Sequence, residues 1–147
     1  MSSHDEIRNL LFRYAEALDT TTDFSGLEEL FAHARIRVLG EGDATIDGPG
    51  LVRIMTEQVV RHPDGLLHTK HVTTNAIVEV DEEAGTATAR SYYTVFQQLD
   101  DFQLQPIVTG RYHDEFERAD GRWRFSFRDY TLVDQVGDLG RHLRMKI

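Results

Sequence analysis

Cysteine is missing from this sequence altogether, which rules out disulfides, thiol nucleophiles and thiolate metal sites and suits a reducing, cytoplasmic setting. Basic residues are outnumbered 16 to 25, for a net charge of −9, and they are scattered rather than clustered. The positive stripe that would neutralise phosphates is not there, so no nucleic-acid partner is expected. Nor does any apolar run approach the roughly 20 residues that a membrane-crossing helix needs, and no membrane partner is expected. The opening Met1-Ser2-Ser3-His4-Asp5-Glu6 has no basic stretch followed by an apolar one, and does not read as a secretory signal. No phosphate loop or dinucleotide fingerprint is found, which argues against nucleotide cofactors. What remains is a globular balance, 40% hydrophobic and 28% charged over 147 residues, which suits one domain spanning 1–147 with its own core.

Helical signals come first along the chain. Ser3 and Glu6 have capping-box spacing, and Ile7, Leu10, Leu11, Tyr14 and Leu18 follow as one apolar stripe. The polar run Asp19-Thr20-Thr21-Thr22-Asp23 ends that helix, because short polar side chains compete for backbone hydrogen bonds. Ser25 with Glu28 forms a second capping box ahead of Leu27, Leu30 and Phe31, with Phe24 as the staple residue. Arg35 to Leu39 reads as a short strand. Asp47-Gly48-Pro49 starts a third helix running to about Val60. From Leu66 onward the period becomes that of strands, in four segments at about 67–80, 86–99, 104–119 and 122–134. Asp120-Gly121 between the last two is a strong hairpin signal. In the last strand Trp123, Phe125, Phe127 and then Asp129 fall on one face by simple alternation, and Arg122, Arg124 and Arg128 on the other. That places Asp129 on the covered side, as a pocket acid or as the partner of a nearby arginine, and the three arginines on a solvated face or a subunit interface. The tail from Gly137 to Leu143 is expected to wrap the surface. The order predicts an α+β fold: a cone-shaped, curved, mostly antiparallel sheet covered by three N-terminal helices.

Several segments together resemble the SnoaL-like branch of the nuclear transport factor 2-like superfamily, whose fold is cystatin-like. They are Leu11-Phe12-Arg13-Tyr14-Ala15-Glu16-Ala17-Leu18-Asp19, Leu27-Glu28-Glu29-Leu30-Phe31, His68-Thr69-Lys70-His71-Val72-Thr73-Thr74-Asn75, and Gly110 to Arg118 followed by Asp120-Gly121-Arg122-Trp123-Arg124-Phe125. The resemblance covers nearly the whole chain and implies a small-molecule pocket between helices and sheet. Among its enzymes, the scytalone and bile-acid dehydratases and hexachlorocyclohexane dehydrochlorinase pair an Asp at the end of the first helix with a His on the central strand. The matching positions are Asp19 and His71, and the dehydratases' tyrosine is matched by Tyr14. The bile-acid enzyme's further acid has no counterpart in Ser91-Tyr92-Tyr93-Thr94-Val95-Phe96. Ketosteroid isomerases would need a carboxylate in Arg35-Ile36-Arg37-Val38-Leu39, where there is none.

Chemistry gives the same residues a meaning of their own. A histidine accepts a proton near neutral pH, and a carboxylate on its other nitrogen fixes the tautomer and stabilises the imidazolium. Asp19 is either that carboxylate or a turn-closing cap, and His71 either a base or a core histidine. Tyr14 lies in the apolar stripe, so its hydroxyl needs a partner: a substrate oxygen or a neighbouring side chain. Tyr92, Thr94 and Phe96 share one strand face, as do Arg111 and His113, and either set lines the pocket or faces solvent. Asn75 joins Tyr92, Phe96, Arg111, His113 and Asp129 as candidate substrate contacts. The chain has seven histidines, but His68 and His71 are three apart on a strand and point to opposite faces, so no metal is expected, and no cofactor. The expected function is a cofactor-independent lyase or isomerase, dehydratase-like, acting on a hydrophobic cyclic or polyketide-like molecule, with a homodimer formed through the outer sheet face. Two other readings stay open. One is a non-catalytic ligand-binding or assembly subunit, like a ring-hydroxylating dioxygenase small subunit. The other is an epoxide hydrolase using Asp129, Arg111 and Asp114.

Overall fold

A computed structural model describes residues 1–147. The first helix, α1 (Ser3–Thr20), buries the expected stripe: Ile7, Leu10, Leu11, Tyr14 and Leu18 are all turned inward. Its cap sits one residue earlier than the Ser3–Glu6 spacing suggests. The Ser2 hydroxyl accepts the Asp5 N–H at 3.1 Å. Ser3 and Glu6 instead reach the far end of the chain, where the Trp123 indole N–H donates to Ser3 at 3.0 Å and the Trp123 backbone N–H to Glu6 at 2.7 Å. The polar first turn therefore stitches α1 to the last hairpin. In α2 (Ser25–Leu30) the expected Ser25–Glu28 capping box is not formed: Phe24 itself takes the cap position without a side-chain cap bond, and Asp23 before it accepts both the N–H and the hydroxyl of Ser25. Asp47 caps α3 (Gly48–Gln58) by accepting the Gly50 N–H at 2.9 Å, with Pro49 in the first turn where its missing N–H has no cost.

The strands are β1 (Arg35–Arg37), β2 (Thr45–Ile46), β3 (Thr69–Asp81), β4 (Thr86–Leu99), β5 (Phe102–Ala119), β6 (Arg122–Asp129) and β7 (Val133–Val136). They form one sheet in the order β2-β1-β6-β5-β4-β3, with β7 also paired to β5. Only β1 with β6 is parallel. The curved, mostly antiparallel sheet under three helices is the expected fold. Asp120 and Gly121 both have positive φ, 53° and 77°, as a two-residue hairpin turn of the primed type requires. The two-residue β2 carries no periodic signal and is not expected from sequence. The segment at 122–134 is two strands rather than one. The Asp129 carboxylate accepts the N–H and hydroxyl of Thr131 and closes a turn there, after which β7 pairs back onto β5.

One irregularity decides which side chains reach the core. In the β5–β6 ladder Phe116 pairs with Phe125, but Glu115 pairs with Phe127, so Ser126 is an extra residue on β6. Such a bulge advances the alternation by one and exchanges the two faces. Trp123 and Phe125 point inward as expected. Beyond Ser126 it is Arg128 that points inward, 1% exposed, while Phe127 and Asp129 turn to the convex face. The expected Trp123-Phe125-Phe127-Asp129 face is thus corrected at its last two members, and Arg128 is no solvated arginine.

The core lies between the concave face and the helices, with Ile7, Leu11, Leu27, Phe31, Phe116 and Phe125 at its centre. The tail departs from expectation too. Leu139 and His142 are buried, the Val60 N–H donates to the His142 carbonyl at 2.8 Å, and the Arg144 N–H donates to the Gln58 carbonyl at 2.8 Å. This strap lies against the end of α3 and walls one side of the cavity below. No helix is long and apolar enough to cross a membrane.

Candidate active site

The cavity opens between α1, α3, the concave strands and the strap, and measures about 170 Å³. Of its 21 lining residues, 18 are hydrophobic; the exceptions are Gln58, His71 and His142. Any chemistry in it beyond that of the phenols must pass through those two imidazoles.

Asp19 and His71 meet at its edge. Asp19 Oδ1 is 2.7 Å from His71 Nδ1 and accepts the Thr69 hydroxyl at 2.9 Å, while Oδ2 accepts the His71 backbone N–H at 2.8 Å. Three donors therefore converge on one carboxylate, and both side chains are at least nine-tenths buried. The last turn of α1 delivers Asp19, and the inward face of β3 delivers Thr69 and His71. Burial alone lifts the Asp19 carboxyl, but the bonds and charge of His71 and the Thr69 hydroxyl outweigh it and hold it below its ordinary value. With Nδ1–H given to an ionised Asp19, the lone pair of His71 is on Nε2.

Tyr14 stands one helical turn and a residue before Asp19, its ring edge-on to His71 with centroids 6.3 Å apart. It belongs to a nest of phenols. Tyr112 stacks on Tyr93 at 4.5 Å, and Tyr14 and Tyr130 meet Tyr112 edge-on at 5.7 and 5.9 Å. Burial raises the hydroxyls of Tyr14, Tyr112 and Tyr130, and pushes that of Tyr93 up to about 12, so all four stay protonated donors. Gly110 makes the stacking possible: a Cβ there would stand 2.5 Å from the Tyr93 hydroxyl and 2.6 Å from the Leu132 carbonyl.

Beneath the phenols lies a buried ion pair. Arg128 donates to Asp114 through two nitrogens, at 2.7 and 2.9 Å. Its guanidinium lies 3.8 Å from the Tyr112 ring centre and 4.4 Å from that of Tyr14. Burial works against the Arg128 charge and Asp114 more than offsets it, so the guanidinium pKa is raised; the same burial lifts Asp114, opposed by Arg128. The pair thus holds the guanidinium, its charge balanced by Asp114, against the ring faces of Tyr112 and Tyr14. Simple alternation missed it because the Ser126 bulge is silent in the sequence.

The remaining candidates are not in the cavity. The β4 side chains that face it are Tyr93 and Val95, so Tyr92, 54% exposed, and Phe96 are on the opposite face. Arg111, in register with Tyr92, is paired to Asp134 at 3.0 Å on that convex side. His113 is exposed there, in register with Asp129, and Asp129 lies 3.5 Å from Arg37. Asn75, with φ of 54°, sits exposed at a register shift in β3. Asp129, Arg111 and Asp114 do not converge: Asp114 is locked to Arg128 on the inner face and the others are on the outer.

His142 was not anticipated. Its ring is 5.9 Å from that of His71, its Nδ1 is buried with no hydrogen-bond partner, and burial together with His71 lowers its pKa to about 3, against a smaller raising effect of Asp19 and with His62 adding to the fall. A histidine whose folded pKa lies below its unfolded value of ~6.5 binds fewer protons when folded. Its contribution to stability is complete above ~6.5 and is lost as pH falls toward 3. The wild type should therefore lose stability on going from pH 7 to 5, with a slope approaching about 1.4 kcal/mol per unit, relative to His142→Phe. Urea denaturation of both proteins at the two pH values measures the difference.

A family model for the SnoaL-like domain matches residues 1–129. No curated protein matches the sequence at a significant level. Among solved structures, a nuclear transport factor 2-like protein with a cystatin-like fold from Novosphingobium aromaticivorans is 26% identical, with a TM-score of 0.67 over 86% of this chain and 79% of its own. A protein of the same organism provisionally described as a scytalone dehydratase is 20% identical, with a TM-score of 0.68 over 92% of this chain and 86% of its own. The β subunit of a provisionally described aromatic-ring-hydroxylating dioxygenase, also from that organism, is 16% identical, with a TM-score of 0.65 over 92% of both chains. The match to the family over all but the last strand and the strap, on this sheet and under these helices, means that the chain belongs to the SnoaL-like family of the nuclear transport factor 2-like fold.

Proposed function

We propose that the cavity is the active site of a lyase or isomerase that needs only proton transfers, acting on a hydrophobic molecule with a single ring. The observation that carries this reading is the 2.7 Å contact between Asp19 and His71 at the edge of an apolar cavity. His71 Nε2 takes a proton from carbon, and the C–H electron pair becomes a double bond. Either a leaving group departs with its own electrons, or a neighbouring carbonyl receives the charge. Asp19 holds the tautomer and stabilises the imidazolium. Tyr14, its ring face against the Arg128 guanidinium, donates a hydrogen bond to the substrate oxygen. Size narrows the substrate: an apolar cavity of roughly 150 Å³ accepts a benzene-sized molecule, so one ring fits in about 170 Å³ and a fused four-ring skeleton does not.

Incubation with hydroxylated and halogenated cyclohexanones tests this, following loss of water or halide. Activity in the wild type that falls about 10²–10⁴-fold in His71→Gln supports the base. Equal rates in the two proteins remove His71 from the mechanism, and tight binding without turnover favours a ligand carrier.

The convex face presents Val72, Ile77 and Tyr92, 38%, 48% and 54% exposed, and we propose it as the contact between two copies of the chain. Ile77→Lys places a charge within that face and should convert a dimer to a monomer in sedimentation experiments; an unchanged mass would exclude the face.

A further inference from the structure

We propose that His142, carried in by the C-terminal strap, is a substrate-binding residue: its imidazole N–H holds the oxygen of a ring carbonyl whose adjacent C–H is presented to His71. This rests on the reading of His71 as base and specifies its substrate, a cyclic ketone or a ring that carries its leaving group beside a carbonyl.

The argument begins with how firmly the residue is placed. The carbonyl of Arg141, just before it, accepts from Gln97 Nε2 at 3.2 Å and lies 3.1 Å from His62 Nε2. The carbonyl of His142 itself accepts the Val60 N–H at 2.8 Å. One residue further, Leu143 bridges to Val59, and the Arg141 guanidinium is paired to Asp101 at 3.1 Å. The backbone is thus fixed on both sides of a ring that is itself left without a bond. His142 is 6% exposed and its Nδ1 is an orphan. A buried polar atom without a partner costs stability, and leucine or phenylalanine would complete this wall without the cost. The strap provides such residues just beyond it, since Leu143 and Met145 line the same cavity. An imidazole in that row has its use on the cavity side.

The tautomer follows from the same orphan. A buried lone pair is cheaper to leave unmatched than a buried N–H, so the proton belongs on Nε2, the nitrogen left for the cavity. Its neighbours keep it neutral: burial and the nearby His71 and His62 oppose a charge, with Asp19 acting in the other sense. His142 therefore donates a hydrogen bond and gives up no proton. His71 presents the opposite half, a lone pair on Nε2, because Asp19 takes its Nδ1–H. Two imidazoles with centroids 5.9 Å apart, one an acceptor of H⁺ and the other a donor to oxygen, match the two ends of an H–C–C=O unit. As His71 takes the proton, the C–H pair forms the C=C bond, the C=O π pair moves onto oxygen, and the N–H of His142 meets the charge that develops there.

Cyclohexanone and methylcyclohexane, alike in shape and size, separate this from simple filling of the cavity. Their binding to the full chain is measured by ligand-observed NMR. The ratio of the two dissociation constants should move about tenfold against cyclohexanone in His142→Leu, the value of one hydrogen bond. His142→Gln, which keeps a donor, should restore part of it. An unchanged ratio in His142→Leu overturns the proposal, as does failure of the wild type to bind either ring. Exchange of the cyclohexanone α-protons for deuterium in D₂O reports on His71 separately. If the wild type binds the ketone through His142 but exchanges no faster than His71→Gln, the base reading fails while the His142 contact stands.

Discussion

Asp114→Ala should destabilise the protein by about 3–5 kcal/mol, because it strands the Arg128 guanidinium in the core with no counter-charge. The partners are 2% and 1% exposed and joined by two short bonds, so water cannot take over the lost role. One arginine nitrogen, Nη1, is already without a partner, which leaves no reserve of hydrogen bonding. The expectation is sharpened by the double variant Asp114→Leu with Arg128→Met. Removing both charges together and filling their volume should recover most of the loss, since the desolvation of each ion disappears with it. Urea denaturation at neutral pH measures all three proteins. A loss in Asp114→Ala below about 1 kcal/mol would put the pair in the class of exposed salt bridges, contrary to its burial.

Asp19→Asn is expected to lower turnover of any substrate found for the cavity by about 10²–10⁴-fold. Three donors converge on that carboxylate: the imidazole N–H and backbone N–H of His71, and the hydroxyl of Thr69. An amide has a single accepting end, so one of these contacts must become a clash of donors or the His71 ring must turn. The substitution also removes the charge that stabilises the imidazolium. Thr69→Val, which removes only one of the three donors, should cost far less activity. The same carboxylate leaves a mark on stability. Its folded pKa lies below its unfolded one, so its contribution is present at neutral pH and is lost as pH falls through the acidic folded value. Asp19→Asn should lack that part of the acid transition. Single-turnover rates at saturating substrate, and denaturation between pH 6 and 3, separate the catalytic effect from the structural one.

Much of this arrangement was legible in the chain itself. The stripe from Ile7 to Leu18 could only be one face of a helix, and Asp120-Gly121 could only be a tight hairpin. Asp19 and His71 followed from the resemblance and from the chemistry a histidine needs. What could not be read is parity. In β4, Tyr92-Thr94-Phe96 and Tyr93-Val95-Gln97 are equally reasonable inward rows, and only the curvature of the finished sheet selects the second. In β6 the alternation was read correctly as far as Phe125 and failed at Ser126, a residue with nothing in its type to announce a bulge. The strap escaped for another reason: its contacts with Gln58, Val59 and Val60 are backbone bonds across more than 80 residues, and leave no periodic trace.

Ser126 has a consequence for how such a cavity can change over generations. Substitution alters one side chain where it stands, but it cannot carry a residue through the sheet. Loss of Ser126 itself would only straighten the ladder, with Phe127 still opposite Glu115 and Arg128 still opposite Asp114. A strand that kept every residue but lost the bulge would instead turn Phe127 and Asp129 inward and Arg128 outward. A relative of equal length that paired without the bulge would align with this chain without a break and yet enclose a different lining. Comparisons among such proteins are therefore safer when strands are matched by facing than by letter.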